Sequence, residues 1–558
     1  MDTTEQTRLA QPVLPSRPAS AWSDIAAESV PTFGRVLRLM AAILTFVAVF
    51  AFVARFEHPL QTPQAGPLGD FLGVSVPVAA ALVAAFALYR PWRALLLVLA
   101  LTPFWNAAYI AWQVGAVQVI LQTVFVVALV VGAATTRPAG GGFVTTAADL
   151  SLAGRFRSFA AFRLAAVAVA AFVGIAVIST LASHDVTLSA TVLLHGILEP
   201  IALASILVYL RPSRRDLVML GLALGVSVGL GTVLNVIAAL PTMTSLAAIQ
   251  AHRLLFARAS FYNVGLFAAV IAVTVPLVAA ALTLRRSLGL PRWATVAIVM
   301  TLAVALAGLF FSLSKSAWIA TGGGTILVLL FIMRSWRRRL ALVVAGVAVS
   351  TLLIPWPALV LQVSPALNSG YRSVMVALVG ESRFDSWNPA TMAGRGSLTE
   401  RFYAVDGAVG MALANPVLGV GLDQFGVNYM STVYRPPQAK DLVDNAHSFF
   451  PEIGAELGLP AASLVFVIYA AALWAMWRVY LRARDQFTRV LAAGLFASMI
   501  SWLVVATAFG CYFYRPYLDQ SSDVVVAAVV VGAAMALTRA VHSERSQQPA
   551  HMAPSGSR

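Results

Sequence analysis

Charge is what this chain has least of. Asp, Glu, Lys and Arg make up 11% of its 558 residues, where soluble domains carry about 25%. With 59% hydrophobic residues in long runs from one end to the other, a water-soluble domain is excluded. Lysine is nearly absent: Lys315 and Lys440 stand alone, so arginine carries the net charge of +15. That excess would suit nucleic acid in a soluble protein. Here the arginines sit in short clusters between apolar runs, with no aromatic-interleaved basic domain, so nucleic-acid binding is set aside. The single cysteine, Cys511, excludes an intrachain disulfide. There is no His-x-x-x-His, no Asp-x-Asp run and no Cys cluster with ligand spacing, so no metal site and no cofactor is expected. A repeat of 20–50 residues is missing too, which excludes a solenoid. Residues 1–34 lack the apolar core and small-residue cleavage site of a signal peptide, and are expected to be a disordered cytoplasmic tail.

What remains is an all-α polytopic integral membrane protein. A span needs ~20 mostly apolar residues. Candidates lie near 36–54, 69–89, 94–112, 115–135, 164–182, 190–210, 216–239, 262–283, 293–312, 317–333, 340–361, 459–477, 488–509 and 522–538. That gives about 12–14 transmembrane helices, the weakest being 94–112 and 115–135, which a very short turn would join. Orientation follows from arginine. With the N-terminus inside, cytoplasmic connections hold Arg90 and Arg93, Arg155 to Arg163, Arg211 to Arg215, Arg285 to Arg292, Arg334 to Arg339, and Arg478 to Arg484. The opposite loops are arginine-poor, as the positive-inside rule requires. The expected organisation is a cytoplasmic tail over 1–34, a helical bundle over 35–361, a periplasmic loop domain over 362–458, C-terminal spans over 459–538 and a cytoplasmic tail over 539–558. Both termini are then cytoplasmic, in a multi-pass protein of the bacterial inner membrane.

Inside the outer segment, "GSLTERFYAVDGAVGMALANP" predicts a helix that Ser397 and Glu400 start as a capping box. Asn415-Pro416 ends it, because the residue before proline avoids the α region. "VLGVGLDQF" follows, with Gly419 and Gly421 permitting a tight turn. Then "VDNAHSFFPEIGAELGLPAASLVF" predicts a short interfacial helix starting near His447, capped by Asp444 or Asn445. Pro451 would fall in its first turn, Gly458 at its C-cap, and Pro460 would open the next span.

The pair "ANPVLGVGLDQF" and "DNAHSFFPEIGAELGLPAASLVF" resembles the signature of the O-antigen ligase and polymerase superfamily. Its members usually run from a His-Asn-x-Tyr-like segment into Glu-Leu-Gly-Leu-Pro-Gly; here Ser448 replaces the Asn and Ala461 the Gly. Upstream, "FSLSKSAWIA" is similar to the family's Ser-Arg-x-x-Trp-like helix start, with Lys315 for arginine. "FARASFYNVGLFAAVIAV" is similar to its Arg…Pro-Asn segment, without the proline and with shorter spacing. The resemblance spans roughly residues 190–480. It implies a GT-C-like membrane glycosyltransferase that moves a glycan from undecaprenyl diphosphate to an acceptor hydroxyl at the periplasmic face, without a metal. The acceptor would be a glycan or lipid A–core, and the bilayer is a further partner. A polymerase of O-antigen or exopolysaccharide is the alternative within the family. A lipid-linked oligosaccharide flippase is the alternative from another class, disfavoured by a single asymmetric outer domain and few central charges.

Each candidate site residue has a plain structural reading beside the functional one. His447 suits a general base, since an unperturbed imidazole titrates near neutrality, or it merely caps an interfacial helix. Arg258 and Arg253 stand where arginine is scarce and could grip a diphosphate, or snorkel to head groups. Lys315 could meet a phosphate as a point charge. Arg401 matches the family's arginine ahead of the "NPVLGVG" turn, or is a solvated helix-face charge. Glu199 is an acid inside an apolar span with His195 one turn away; it is either functional or an inward structural partner of Arg258 or Lys315. Glu452 and Glu456 are expected to be solvated or orienting.

Overall fold

The computed structural model describes residues 81–103, 111–135, 160–239, 264–344, 397–509 and 522–547, with short gaps inside these ranges. The expected spans at 36–54 and most of 340–361 lie outside them, as do Arg253, Arg258 and Asp444. The described chain is helical with one exception. After α1 (Pro91–Ala100), strands β1 (Ala111–Val114) and β2 (Val117–Ile120) form an antiparallel ribbon in which Ala111 pairs with Ile120 and Val114 with Val117. The ribbon replaces the very short turn expected between 112 and 115, and α2 (Leu121–Thr135) follows it. Trp112, Val114, Val117 and Val119 make this stretch β-branched and aromatic, which explains why it leaves the helical register.

The bundle then runs through α3 (Ala160–Leu181), α4 (Val186–Val192), a π-turn over Leu193–Leu198 and α5 (Glu199–Leu210). Next come α6 (Arg214–Ala239), α7 (Val264–Thr283), α8 (Arg292–Ser312) and α9 (Lys315–Ile332). After α10 (Ser397–Ala414), α11 (Phe425–Met430) and α12 (Phe449–Leu457), the chain continues with α13 (Leu459–Arg482), α14 (Gln486–Phe509) and α15 (Ser522–Gln547). Among the described residues seven helical segments are long and apolar enough to cross a membrane, and shorter apolar helices accompany them. The protein is a multi-pass membrane protein.

The centre of the bundle is α7, buried on every side from Leu266 to Ala281 between α6, α8, α9 and α14. A helix apolar all round belongs at such a position. Small residues bring its neighbours close. A side chain on Gly324 of α9 would collide with Ser501 of α14 and Pro276 of α7, and the Ser501 hydroxyl donates to Ala320 O across this seam at 2.9 Å. This is membrane-type packing, in which close backbone approach replaces the hydrophobic drive that lipid does not provide.

The two ends of the bundle are unlike. At one, the α5–α6 turn, the α13–α14 turn, the C-terminus of α9 and α15 come together. Arg214 bridges Asp485 at 2.9 Å, Arg539 donates to Val208 O at 3.3 Å and Tyr480 donates to Phe331 O at 3.0 Å. At the other end, the last turn of α3 and the start of α4 meet the 416–424 loop and the corner between α12 and α13. Arginine clusters and the histidine motif therefore occupy opposite ends.

Asp485 caps α14 by accepting from Thr488 N–H at 2.7 Å while bridging Arg214. Burial raises its pKa, but the Thr488 hydrogen bonds and the Arg214 charge outweigh burial and leave it below the ordinary 3.8. A depressed folded-state pKa means the contribution is complete above the unfolded value and is lost as pH falls through the folded one. Asp485→Asn keeps the cap and should cost about 0.5 kcal/mol or less at neutral pH, the pair being half exposed. Asp485→Ala should cost about 1 kcal/mol more. Thermal melts in detergent check both; the wild-type advantage over Asp485→Asn should vanish under acid.

Candidate functional site

The site is assembled by a backbone clasp. Helix α12 ends at Gly458 (φ 87°), and α13 begins one residue later with Pro460 in its first turn. Proline has no N–H, so Glu456 O loses the partner a continuing helix would offer. The 416–421 loop satisfies the freed groups. Val420 N–H donates to Ala455 O at 2.8 Å, Gly421 N–H to Glu456 O at 3.1 Å, and Leu459 N–H to Pro416 O at 2.9 Å. From α3, the Ser179 hydroxyl reaches Leu418 O at 3.0 Å and Glu456 O at 3.2 Å; from α4, Ser189 donates to Leu422 O at 2.6 Å. Two glycines make this approach possible. Gly419 has φ 67° and a side chain there would lie 2.2 Å from Glu456 C; one on Gly458 would lie 2.3 Å from Val417 O. The "NPVLGVG" and "ELGLP" motifs are thus two halves of one interlock.

From the clasp, α12 folds back along the first turns of α13. Phe449 lies edge-on to Trp502 at 4.9 Å and to Tyr469 at 6.5 Å, and Phe450 meets Phe466 at 6.3 Å. Tyr469 stands ten residues into α13, and a nine-residue helix is about 13 Å long. The expected interfacial helix is therefore the inner arm of a helical hairpin. It holds His447 well away from the α12–α13 corner, against the bundle. Pro451 is in the first turn, where its missing N–H costs nothing.

The turn carrying His447 has its own restraint. His447 N–H donates to Asn445 Oδ1 at 2.8 Å, and His447 itself has φ 52°. Left-handed backbone at a non-glycine costs on the order of 1 kcal/mol and is concentrated at functional sites. Among the described residues only Arg211, Asp423 and His447 show it, and Asp423 follows the clasp loop. Asn445 thus shapes the turn instead of capping the helix; the N-cap position is Ser448, whose side chain makes no capping bond, and the helix begins at Phe449 rather than at His447. The histidine side chain is half-buried.

Several expected roles change. Glu452 and Glu456 are buried, not solvated. Burying a carboxylate is costly unless it is held by hydrogen bonds, and Glu456 accepts from Phe425 N–H at 3.2 Å, tying α12 to the start of α11. Glu199 is buried with His195 at 2.9 Å, and α2 supplies Thr123 at 2.5 Å and Gln122 at 2.7 Å. These are its partners among the described residues; Arg258 and the Lys315 side chain, the partners anticipated from sequence, lie outside the described positions. The pair sits where the π-turn meets α5, and its partners among the described residues are side chains of the bundle. That is how a membrane helix tolerates an acid. Arg401 lies one turn into α10, half-buried, on the helix that packs against α12. Lys315 opens α9 at the histidine end, with its side chain outside the described positions. Ser179 and Ser189 escape sequence reasoning, because a hydroxyl near the end of an apolar span has no local pattern that names its tertiary partner.

Gly419→Ala and Gly458→Ala should each lower the yield of folded protein sharply, costing about 2 kcal/mol or more through strain and overlap; size-exclusion profiles and melts check this. Glu456→Gln keeps an acceptor for Phe425 N–H and should melt near wild type. Glu456→Leu strands that donor and should cost about 1–3 kcal/mol.

Residues 300–466 match the family model described as O-antigen ligase. The matched stretch begins in α8 and ends in α13, enclosing the Lys315 helix start, the clasp and His447. No curated protein matches the chain. Over that stretch the chain is similar to the O-antigen ligase family, which agrees with the resemblance carried by its sequence motifs.

Proposed function

We propose that this protein transfers a glycan from undecaprenyl diphosphate to an acceptor hydroxyl at the outer face of the inner membrane, with His447 as general base. One observation carries the reading. A half-buried histidine is held by a left-handed, Asn445-restrained turn inside the family-matched region, at the end of the bundle opposite the arginine clusters. By the positive-inside rule the arginine end faces the cytoplasm, so the histidine end and the 362–458 segment face outward. Both termini then lie inside.

In the proposed reaction the acceptor oxygen attacks the anomeric carbon as its proton passes to the His447 imidazole. The bond from the anomeric carbon to the diphosphate oxygen breaks, and the leaving diphosphate takes the electron pair. Direct displacement inverts the anomeric centre. Arg258, Lys315, Arg253 and Arg401 would hold the diphosphate in the place a metal ion takes in other glycosyl transfers. Lys315, at the start of α9, and Arg401, on the helix packed against α12, both belong to the histidine end, which supports this role. The clasp contributes orientation, since aligning donor and acceptor removes part of the barrier by itself.

A lipid A–core acceptor makes the enzyme a ligase, and a growing glycan makes it a polymerase. A flippase would need alternating access, whereas a clasp at a single end of the bundle favours a fixed site.

Purified protein in nanodiscs, with a lipid-linked glycan donor and mass-spectrometric detection of product, tests the reading. Turnover should survive EDTA. His447→Asn suits the left-handed position and should melt like wild type, yet lose about 100-fold or more of its rate. Full activity in that variant would refute the proposal. Feeding lipid A–core or free repeat units in turn separates ligase from polymerase.

A further inference from the structure

Helix α10 is built inside out. Its buried face against α12 and α11 is made of Ala404, Gly407, Ala408, Met411 and Ala412. Its large apolar side chains point the other way: Phe402 is 66% exposed, Val409 43% and Leu413 67%. At 100° per residue these three fall on one stripe. A helix in a water-soluble domain would bury such residues and expose the small ones. The membrane-spanning α13 shows the same inversion, burying Ala461, Ala471, Ala472 and Ala475 while Phe466 and Trp474 face outward. That pattern is the signature of helices that pack through small residues and turn bulk toward lipid.

The stripe is continuous with the lipid-facing surface. It runs through Leu413 to exposed Val417, whose carbonyl abuts Gly458. There Leu459, the first residue of α13, is also exposed and donates its N–H to Pro416 O at 2.9 Å. Glu400, Arg401 and Asp406 prevent α10 from crossing the hydrocarbon. Exposed Asp406 falls on the same face, between Phe402 and Val409, so this face suits a helix lying at the boundary between head groups and acyl chains with its carboxylate at head-group level.

We infer that α10 rests on the bilayer, with Phe402, Val409 and Leu413 inserted among the acyl chains of the leaflet at the histidine end. The occupant of this apolar face is lipid, not a second protein. Because α10 packs on α12, bilayer contact holds the helix hairpin that bears His447 at a defined depth relative to a lipid-anchored substrate. The inference rests on packing and does not require the transferase chemistry.

The test uses the full chain in nanodiscs. In a Cys511→Ser background, single cysteines at 409 and 413 carry nitroxide labels. References are placed at Phe466 on the lipid-facing side of α13 and at exposed Ser431 after α11. Collision with oxygen reports lipid, and collision with a nickel chelate reports water. Labels at 409 and 413 should match 466, with nickel accessibility several-fold below that at 431. Values like those at 431 would overturn the inference in favour of a solvent-facing helix. Labels shielded from both reagents would overturn it in favour of a protein partner. A loss of transfer activity in His447→Asn leaves these readings unchanged, so the two proposals fail separately.

Discussion

The interlock between the 416–421 loop and the corner at Ala455 to Leu459 is the constraint on which the site depends. Pro460 withholds the N–H that Glu456 O would meet in a continuing helix, and Gly421 and Ser179 take up that carbonyl. Val420 takes up Ala455 O, because Leu459 N–H turns to Pro416. Such bonds are worth more where water is excluded, since the alternative is an unsatisfied polar group in a low-dielectric surrounding. One consequence is directional. With its C-terminus pinned, α12 runs back along α13, and its first residue, Phe449, meets Tyr469 and Trp502 two residues after His447.

The rest of the bundle obeys the economy of a lipid environment. Backbones approach through glycine and alanine, as at Gly324 and Ala320, and bulk is turned outward. Polar side chains inside are tethered. Ser189 and Ser179 hold carbonyls of the outer loop, and Glu199 is enclosed by His195, Thr123 and Gln122. The two functions of buried polarity differ. At Glu199 it welds α2 to the π-turn before α5, while at Glu456 it ties two elements of the histidine end together. Helix α10 repeats the same packing pattern beyond the spans, burying Ala404, Gly407 and Ala408 while Phe402 and Leu413 are exposed.

Much of this was legible in the linear chain, and the reasons are local. Spans at 214–239, 264–283, 292–312, 459–482 and 486–509 follow from apolar length, and their ends coincide closely with arginine clusters. The Asn415-Pro416 stop, the Gly458 cap and the Pro460 start depend on backbone preferences of single residues, which act without tertiary help. The β1–β2 ribbon was hidden because an apolar run of that length suits strand or helix equally. The buried state of Glu452 and Glu456 was hidden too, since their spacing beside a membrane boundary looks the same whether water or protein covers them.

By itself, then, the sequence determined that the chain crosses the membrane many times, which end of each span carries arginine, and where the short helix before α13 stops. These are properties of hydrophobic length, charge and the missing N–H of proline. Only the tertiary structure decided that α12 folds inward, that His447 adopts a left-handed turn on Asn445, and which donors surround Glu199. Those outcomes require groups far apart in the chain to satisfy one another, and no local preference specifies a partner that arrives from a different helix.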